Sequence, residues 1–287
     1  MKNQIKDELE TIRQHFTDDL YNKYINGEIT FSKMALLLGV YSYRLQRYFD
    51  MNHIKYREHV LQETTDHTFF QNIDSEIKAY LLGFYLADGS LSNKSNRIKI
   101  SVNKCDEYII DLFKKHISPH YKKCETKSFK NKKTGYITKP MVNISITSKT
   151  ICESLTMYGM GEHKTDSEVI NIDCVDDDMF IHFLRGYFDG DGTVCCTNGK
   201  RLYKGKMYFY RNFNWSIISN KKQHLEKIQE RLHRLYNIHA NLLCDTRGHF
   251  LLEINRKYDF FKMRDVLYDN ANYFLLRKKE KYMAIPC

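Results

Sequence analysis

One ten-residue stretch constrains this chain more than any other, because it is written twice. Tyr80-Leu-Leu-Gly-Phe-Tyr-Leu-Ala-Asp-Gly89 returns as Phe183-Leu-Arg-Gly-Tyr-Phe-Asp-Gly-Asp-Gly192. Gly83, Asp88 and Gly89 map onto Gly186, Asp191 and Gly192 at one fixed offset, and upstream Asp74 maps onto Asp177. Each copy predicts a short helix, with Asp74 or Asp177 as N-cap and Gly89 or Gly192 as a left-handed C-terminal cap. Gly83 and Ala87 fall four residues apart on one helix face, as do Gly186 and Gly190. Small residues there let two backbones approach closely, and the natural partner of each helix is the other.

Such packing brings two helix C-termini together, each carrying an aspartate, Asp88 or Asp191. A carboxylate in the last turn faces the negative end of the helix dipole, so two side by side require cations. Hard divalent ions with oxygen ligands, above all Mg²⁺, suit such a site. Paired metals activate a water and stabilise a leaving oxygen in phosphodiester cleavage. Two blander readings compete. Asp-Gly between apolar runs is a hairpin signal, and one copy alone is open to it. Asp189-Gly-Asp191-Gly hints at a calcium loop, but Thr193, Val194 and Lys200 stand where that loop needs Asp or Asn, Gly and Glu. Two copies with matching faces favour paired helices.

The repeated stretch resembles the paired signature of the LAGLIDADG homing endonucleases. Leu184-Arg-Gly-Tyr-Phe-Asp-Gly-Asp-Gly192 is the nearer match; the first copy departs at Leu86, where an aspartate is common, and keeps Asp88-Gly89. The resemblance covers residues 74–287. It implies a Mg²⁺-dependent (or Mn²⁺-dependent) endonuclease with two or three ions, in which Asp88 and Asp191 each cut one strand and leave short 3′ overhangs. The backbone carbonyls of Ala87 and Gly190 would aid the metals. Gly161-Glu-His-Lys-Thr165 and Leu275-Leu-Arg-Lys-Lys279 resemble the family's segments that place a lysine near the scissile phosphates. Lys164 and Lys278 are thereby implied in catalysis, with Arg277 or Lys279 as alternatives to Lys278.

Charge agrees with a polyanionic partner. The formal net charge is +10. Residues 1–73 hold 9 Lys/Arg against 10 Asp/Glu, so the excess lies downstream; Ser92 to Lys149 alone holds 14 basic and 4 acidic residues. Charge by itself does not separate DNA from RNA or a membrane surface. No apolar run approaches a membrane span and no signal peptide is evident. The 8 cysteines include no Cys-x-x-Cys pair, which points away from zinc and towards reduced thiols inside a cell.

In chain order, residues 4–26 predict one amphipathic helix ended by Gly27. Thr30 to Phe49 resembles a helix-turn-helix, with Ala35 and Gly39 bracketing a tight connection and Ser42 capping a second helix that runs through about Met51. Tyr43, Arg44, Gln46 and Arg47 would then face DNA. Residues 59–72 read as a linker. After the first signature, Arg97-Ile-Lys-Ile-Ser-Val-Asn103 alternates as a half-buried strand with Arg97, Lys99 and Ser101 on its polar face. A helix from Asp106 to His116, a lysine-rich hairpin from Tyr121 to Lys139 (Lys122, Lys127, Lys130), a strand with Asn143 and Ser145 outward, and a helix from Lys149 to Tyr158 complete the half. The second half repeats this order. A connection from Thr193 to Lys206 carries Lys200 and Lys206; Tyr208 to Ser219 forms a strand with Asn212 and Asn214, and Asn241 to Asn255 forms a hairpin turning at Arg247. Polar strand faces of this kind fit a major groove.

The expected fold is α+β: duplicated α-β-β-α-β-β-α half-domains with pseudo-two-fold symmetry and antiparallel, saddle-shaped sheets. A small all-α module precedes them. The divisions fall at residues 1–72, 73–172 and 173–287. The expected function is that of an intracellular, monomeric, site-specific double-strand DNA endonuclease. Met1 and the terminal Ile285-Pro286-Cys287, lacking splice residues, suggest a free-standing or intron-encoded protein. The alternative is a non-cleaving binder, either a maturase on intron RNA or a repressor-like DNA-binding protein.

Overall fold

The computed structural model describes residues 2–130, 135, 137–161 and 170–286, with side chains from residue 9 onward. Five helices come first: α1 (Lys2–His15), α2 (Asp18–Ile25), α3 (Phe31–Leu37), α4 (Ser42–Met51) and α5 (Arg57–Thr64). The first signature is α6 (Glu76–Asp88), followed by β1 (Gly89–Ser92), β2 (Arg97–Asn103), α7 (Tyr108–His116), β3 (Cys124–Thr126), β4 (Met141–Thr147) and α8 (Lys149–Met157). The second is α9 (Asp177–Asp191), followed by β5 (Thr193–Tyr203), β6 (Lys206–Ser219), α10 (Lys222–Tyr236), β7 (Asn241–Cys244), β8 (Phe250–Ile254) and α11 (Lys257–Tyr268). Then comes α12 (Leu276–Met283). Each signature thus opens the same α-β-β-α-β-β-α order, and the class is α+β.

The chain divides into two compact units, Met1–Asp66 with Asn103–Ile146, and His67–Val102 with Thr147–Cys287. In the first unit, the five N-terminal helices bury Ile12, Tyr24, Met34, Leu45 and Phe49 together. Phe49 meets Phe31 and Phe16 edge-on, with ring centroids 5.3 and 5.7 Å apart. The single helix expected over 4–26 is two. The Thr17 hydroxyl accepts from the Leu20 amide at 3.2 Å, and that cap starts α2. Ser42 is not a cap either: Tyr41 holds the N-cap position of α4 without a side-chain bond. Between α3 and α4 the backbone turns at Gly39 with φ +68°. Within the hairpin expected over 121–139, the described residues show an antiparallel bridge between Lys130 and Ile137 and the Thr138 amide donating to the Phe129 carbonyl at 3.0 Å, while β3 pairs antiparallel with β4, Cys124 opposite Asn143.

In the second unit, α6 is buried continuously from Ala79 to Ala87, as befits a helix apolar all round. The N-caps are Ser75, one residue after the predicted Asp74, and Asp176, one residue before the predicted Asp177. Asp74 pairs instead with Lys78 at 2.9 Å, and Asp177 with Arg234 at 2.7 Å. Nor are the C-caps left-handed. Gly89 has φ −73° and ψ 166°, and Gly192 φ −76° and ψ 161°, an extended geometry open to any residue. Space is what selects glycine there: a Cβ on Gly89 would lie 2.6 Å from the Tyr85 ring, and one on Gly192 would overlap the Phe188 ring.

β1 and β2 pair antiparallel, and β2 alternates between exposed Arg97 and Lys99 and buried Ile98 and Ile100. The later strands form an antiparallel sheet in the order β5-β6-β8-β7. Its inner face carries Val194, Trp215, Ile217, Leu252 and Ile254, with Trp215 stacked on Phe188 of α9 at 5.1 Å. The predicted connection from Thr193 to Lys206 is in fact β5 and its turn. Residues pair one for one from Thr193 opposite Ser216 to Tyr203 opposite Lys206. Lys204 and Gly205, at φ +47° and +75°, make the two-residue turn that matches strand twist.

Candidate active site at the paired helix ends

α6 and α9 pack through their small residues. A Cβ on Gly83 would overlap the carbonyl oxygen of Phe183 and lie 2.8 Å from the Tyr187 nitrogen. A Cβ on Gly186 would overlap the carbonyl oxygen of Tyr80 and lie 2.9 Å from the Phe84 nitrogen. Each helix thus receives the other at the same relative position. Near the C-termini, a Cβ on Gly190 would overlap the Ala87 methyl and lie 3.4 Å from Oδ2 of Asp88. Glycine at 190 therefore admits the Ala87 methyl to the last turn of α9, with the Asp88 carboxylate beside it. Asp88 is half-buried and Asp191 exposed.

Lys278, near the start of α12, is buried rather than solvated. Its Nζ donates to the carbonyls of Phe188 (2.5 Å), Gly192 (2.6 Å) and Gly190 (3.3 Å). A cation against the last carbonyls of α9 opposes the negative helix end beside Asp191. Burial pulls its pKa down to about 8, against the opposing pull of Asp189, Asp88 and Asp191.

Asp189, two residues before Asp191, turns the other way and is fully buried. Its Oδ2 accepts from the Tyr80 hydroxyl (2.9 Å) and the Leu275 amide (2.6 Å), and its Oδ1 from the Tyr268 hydroxyl (3.2 Å). Burial raises its pKa to about 6. One turn earlier, Arg185 is 1% exposed, with Nε on the Tyr273 carbonyl (2.7 Å), Nη1 on the Leu267 carbonyl (2.8 Å) and Nη2 on Glu76 (2.5 Å). These two polar residues of the second signature tie α9 to α6, α11 and the segment leading into α12. Their first-copy counterparts are Leu82 and Leu86.

A cavity of about 330 Å³ opens beside Asp191, lined among others by Leu86, Tyr187, His224, Arg247 and His249. His224 is 2% exposed; its Nε2 lies 3.5 Å from the Tyr187 hydroxyl, and its Nδ1 has no partner among the described residues. Burial lowers its pKa to about 4. Nothing in the spacing of the dispersed histidines singles it out.

The remaining expected site residues are distributed as follows. Lys164 lies outside the described residues. Arg97, Lys99 and Ser101 share the outer face of β2. In the second-half ribbon Lys206, Asn212 and Asn214 share one face, while Lys200, opposite Phe209, projects from the other. Asn214 donates to Glu253 at 3.2 Å, and the Arg247 amide donates to Asp245 at 2.8 Å. In the first unit Lys122, Lys127 and Lys130 are exposed, and Asn143 and Ser145 share the half-buried face of β4. On α4, Gln46 and Arg47 are exposed, and the Arg44 guanidinium lies 4.7 Å from the centre of the Tyr43 ring.

Among the described residues no cluster of three or more His, Cys, Asp or Glu is placed to hold a metal. The donor set at the helix ends is two carboxylates and the carbonyls of Ala87 and Gly190. All are hard oxygens, the set that suits Mg²⁺, an ion that keeps several waters and takes substrate phosphate. No helix among the described residues is long and apolar enough to cross a membrane.

No family model matches the chain. An uncharacterized protein of Methanocaldococcus jannaschii is 26% identical over 157 residues, 54% of this chain and 55% of that protein. The chain thus spans about half the length of this curated relative. Among solved structures, the homing endonuclease I-WcaI bound to its DNA recognition sequence aligns with a TM-score of 0.52 at 15% identity, over 78% of this chain and 91% of that one. The I-SmaMI LAGLIDADG homing endonuclease bound to cleaved DNA gives 0.48 at 14% identity, over 71% and 86%. Full-length DUF199/WhiA from Thermatoga maritima gives 0.42 at 19% identity, over 76% of this chain and 65% of that one. The fold is like that of the I-WcaI endonuclease.

Proposed function

We propose that this chain is a monomeric, divalent-metal-dependent, site-specific endonuclease of double-stranded DNA. The observation that carries the reading is the pairing of α6 and α9, which sets an aspartate at the same terminal position of two helices in backbone contact. Two signature copies in one chain supply the symmetry that a single copy would need a dimer to reach.

Asp88 and Asp191, with the carbonyls of Ala87 and Gly190, would hold the metal. Mg²⁺ bound there supplies positive charge to acidify the attacking water and to stabilise the leaving oxygen. Asp88 and Asp191 each serve one strand. Lys278 keeps the last turn of α9 in place and reduces the negative field in which Asp191 sits. Arg97, Lys99 and Ser101 on β2, and Lys206, Asn212 and Asn214 on the ribbon, present donors to groove edges and phosphates.

The test uses a supercoiled plasmid bearing the target, with binding measured in Ca²⁺ and cutting in Mg²⁺. Asp88→Asn and Asp191→Asn should each bind and fail to linearise the plasmid. Linearisation at the wild-type rate by either variant would remove the catalytic assignment. Specific binding by the wild type with no cutting in Mg²⁺ or Mn²⁺ would make the chain a non-cleaving binder.

A further inference from the structure

We propose that the outer end of the β5–β6 ribbon is a stacking platform for unpaired bases in the loops of folded RNA. β6 pairs with β8 only from Trp215 to Ser219, whereas its pairing with β5 continues to Tyr203 opposite Lys206. Beyond the sheet the ribbon is therefore two strands alone, a unit of marginal stability in water. It carries Lys200, Arg201, Lys204, Lys206 and Arg211, with no Asp or Glu between Thr193 and Ser219. A solvated basic finger would need no more than that.

The residues between those charges are what a solvated finger does not need. Tyr203, Tyr208 and Tyr210 are 50%, 51% and 46% exposed. Arg201 lies opposite Tyr208, and Tyr203 opposite Lys206, so the three tyrosines and Arg201 project from one face. The Tyr203 and Tyr208 ring centroids are 6.4 Å apart, and the Arg201 guanidinium and Lys204 ammonium lie 5.7 and 5.4 Å from the centre of the Tyr203 ring. Gly199 completes the surface. A Cβ there would lie 2.6 Å from the Tyr210 ring, so glycine is what lets that ring lie across the neighbouring strand.

Aromatic faces among cations recognise bases by stacking, a contact that every base can make. Bases inside a duplex have both faces covered by their neighbours. Unpaired bases are a standing feature of RNA loops, where they are stacked on aromatic side chains and arginine planes. The three phenol hydroxyls add donors and acceptors for the ribose 2′-hydroxyl. This surface lies outside the aspartate pair, and its use does not require that the chain cut DNA.

The experiment measures fluorescence anisotropy with the full chain in EDTA, so that cleavage plays no part. The probes are a stem–loop RNA with a uridine-rich loop, the same sequence as single-stranded DNA, and a fully paired RNA duplex. The wild type should prefer the stem–loop to both other probes. Tyr203→Val with Tyr208→Val should weaken stem–loop binding by about tenfold per base stacked, and leave duplex binding and its salt dependence unchanged. Tyr→Phe at Tyr203, Tyr208 and Tyr210 should keep the stacking contribution and narrow the preference for RNA over single-stranded DNA, whereas Phe209→Ala on the opposite face should retain the affinity. Equal binding of stem–loop and duplex, equal or tighter binding of the single-stranded DNA, or loss of binding in the Phe209→Ala control would each overturn the proposal.

Discussion

The ammonium of Lys278 donates to the Gly192 carbonyl at 2.6 Å, joining α12 to the residue that ends the second signature helix. With Phe188 and Gly190, three carbonyls at one helix end meet the three protons of one buried amine, and of these the Phe188 carbonyl also accepts the Gly192 amide at 2.7 Å. A side chain so engaged works by holding the metal-binding turn. Lys278→Met should leave buried acceptors without a donor and lower stability by about 1–3 kcal/mol, and cutting should fall with it. A thermal melt identical to the wild type would show that the cap is dispensable.

Gly186→Ala should be more damaging than an alanine in an ordinary helix, because the obstacle is the Tyr80 backbone and not a side chain that can swing away. We expect a loss of about 1–3 kcal/mol or more, with the same result for Gly83→Ala. Denaturant midpoints measure it, and an unchanged midpoint would mean that the helices separate at little cost.

Acid should destabilise the fold through His224. The unfolded chain takes up this proton near 6.5, while burial holds the folded group to about 4. Between those values the unfolded state binds more protons, so stability is complete above 6.5 and falls as pH drops towards 4, by up to about 3 kcal/mol. His224→Phe should flatten the stability–pH curve in that window. A curve of the same slope in the variant would assign the titration elsewhere.

Residues 1–66 share a compact unit with 103–146, so point changes test the N-terminal helices more cleanly than deletion. Gln46 and Arg47 are exposed on α4. Gln46→Ala with Arg47→Ala should weaken DNA binding and reduce the salt slope by about one, at unchanged melting temperature. Binding identical to the wild type would reduce these helices to a packing arm.

The helix pair was legible because its cause is local: two small residues four apart, repeated at one offset, leave a backbone nothing else to fit. The caps misled because glycine answers to two constraints. At Gly89 and Gly192 it is required by the Tyr85 and Phe188 rings and not by a positive φ, and sequence does not separate the two. The resemblance singles out Lys278, but its place against the end of α9 is not legible in the sequence, because its acceptors lie 86 to 90 positions away. Asp189 hid for the same reason, with Tyr80 and Tyr268 at separations of 109 and 79. The Lys204-Gly205 turn left a faint signal, a basic-Gly pair between aromatic runs. That signal is weak because lysine seldom takes a positive φ.

The glycine seam also bears on how the two halves of such a chain can drift apart. At Gly83 and Gly186 each half is the mould of the other, and what fills each mould is main chain, which no substitution can trim. A larger residue on one side therefore has no compensating change available on the other, and both positions are pinned together. Off the seam the copies are under no such bond. That is where they have parted, Leu82 and Leu86 in one against Arg185 and Asp189 in the other, so that one half took on the polar fastening of its neighbours and the other kept an apolar wall.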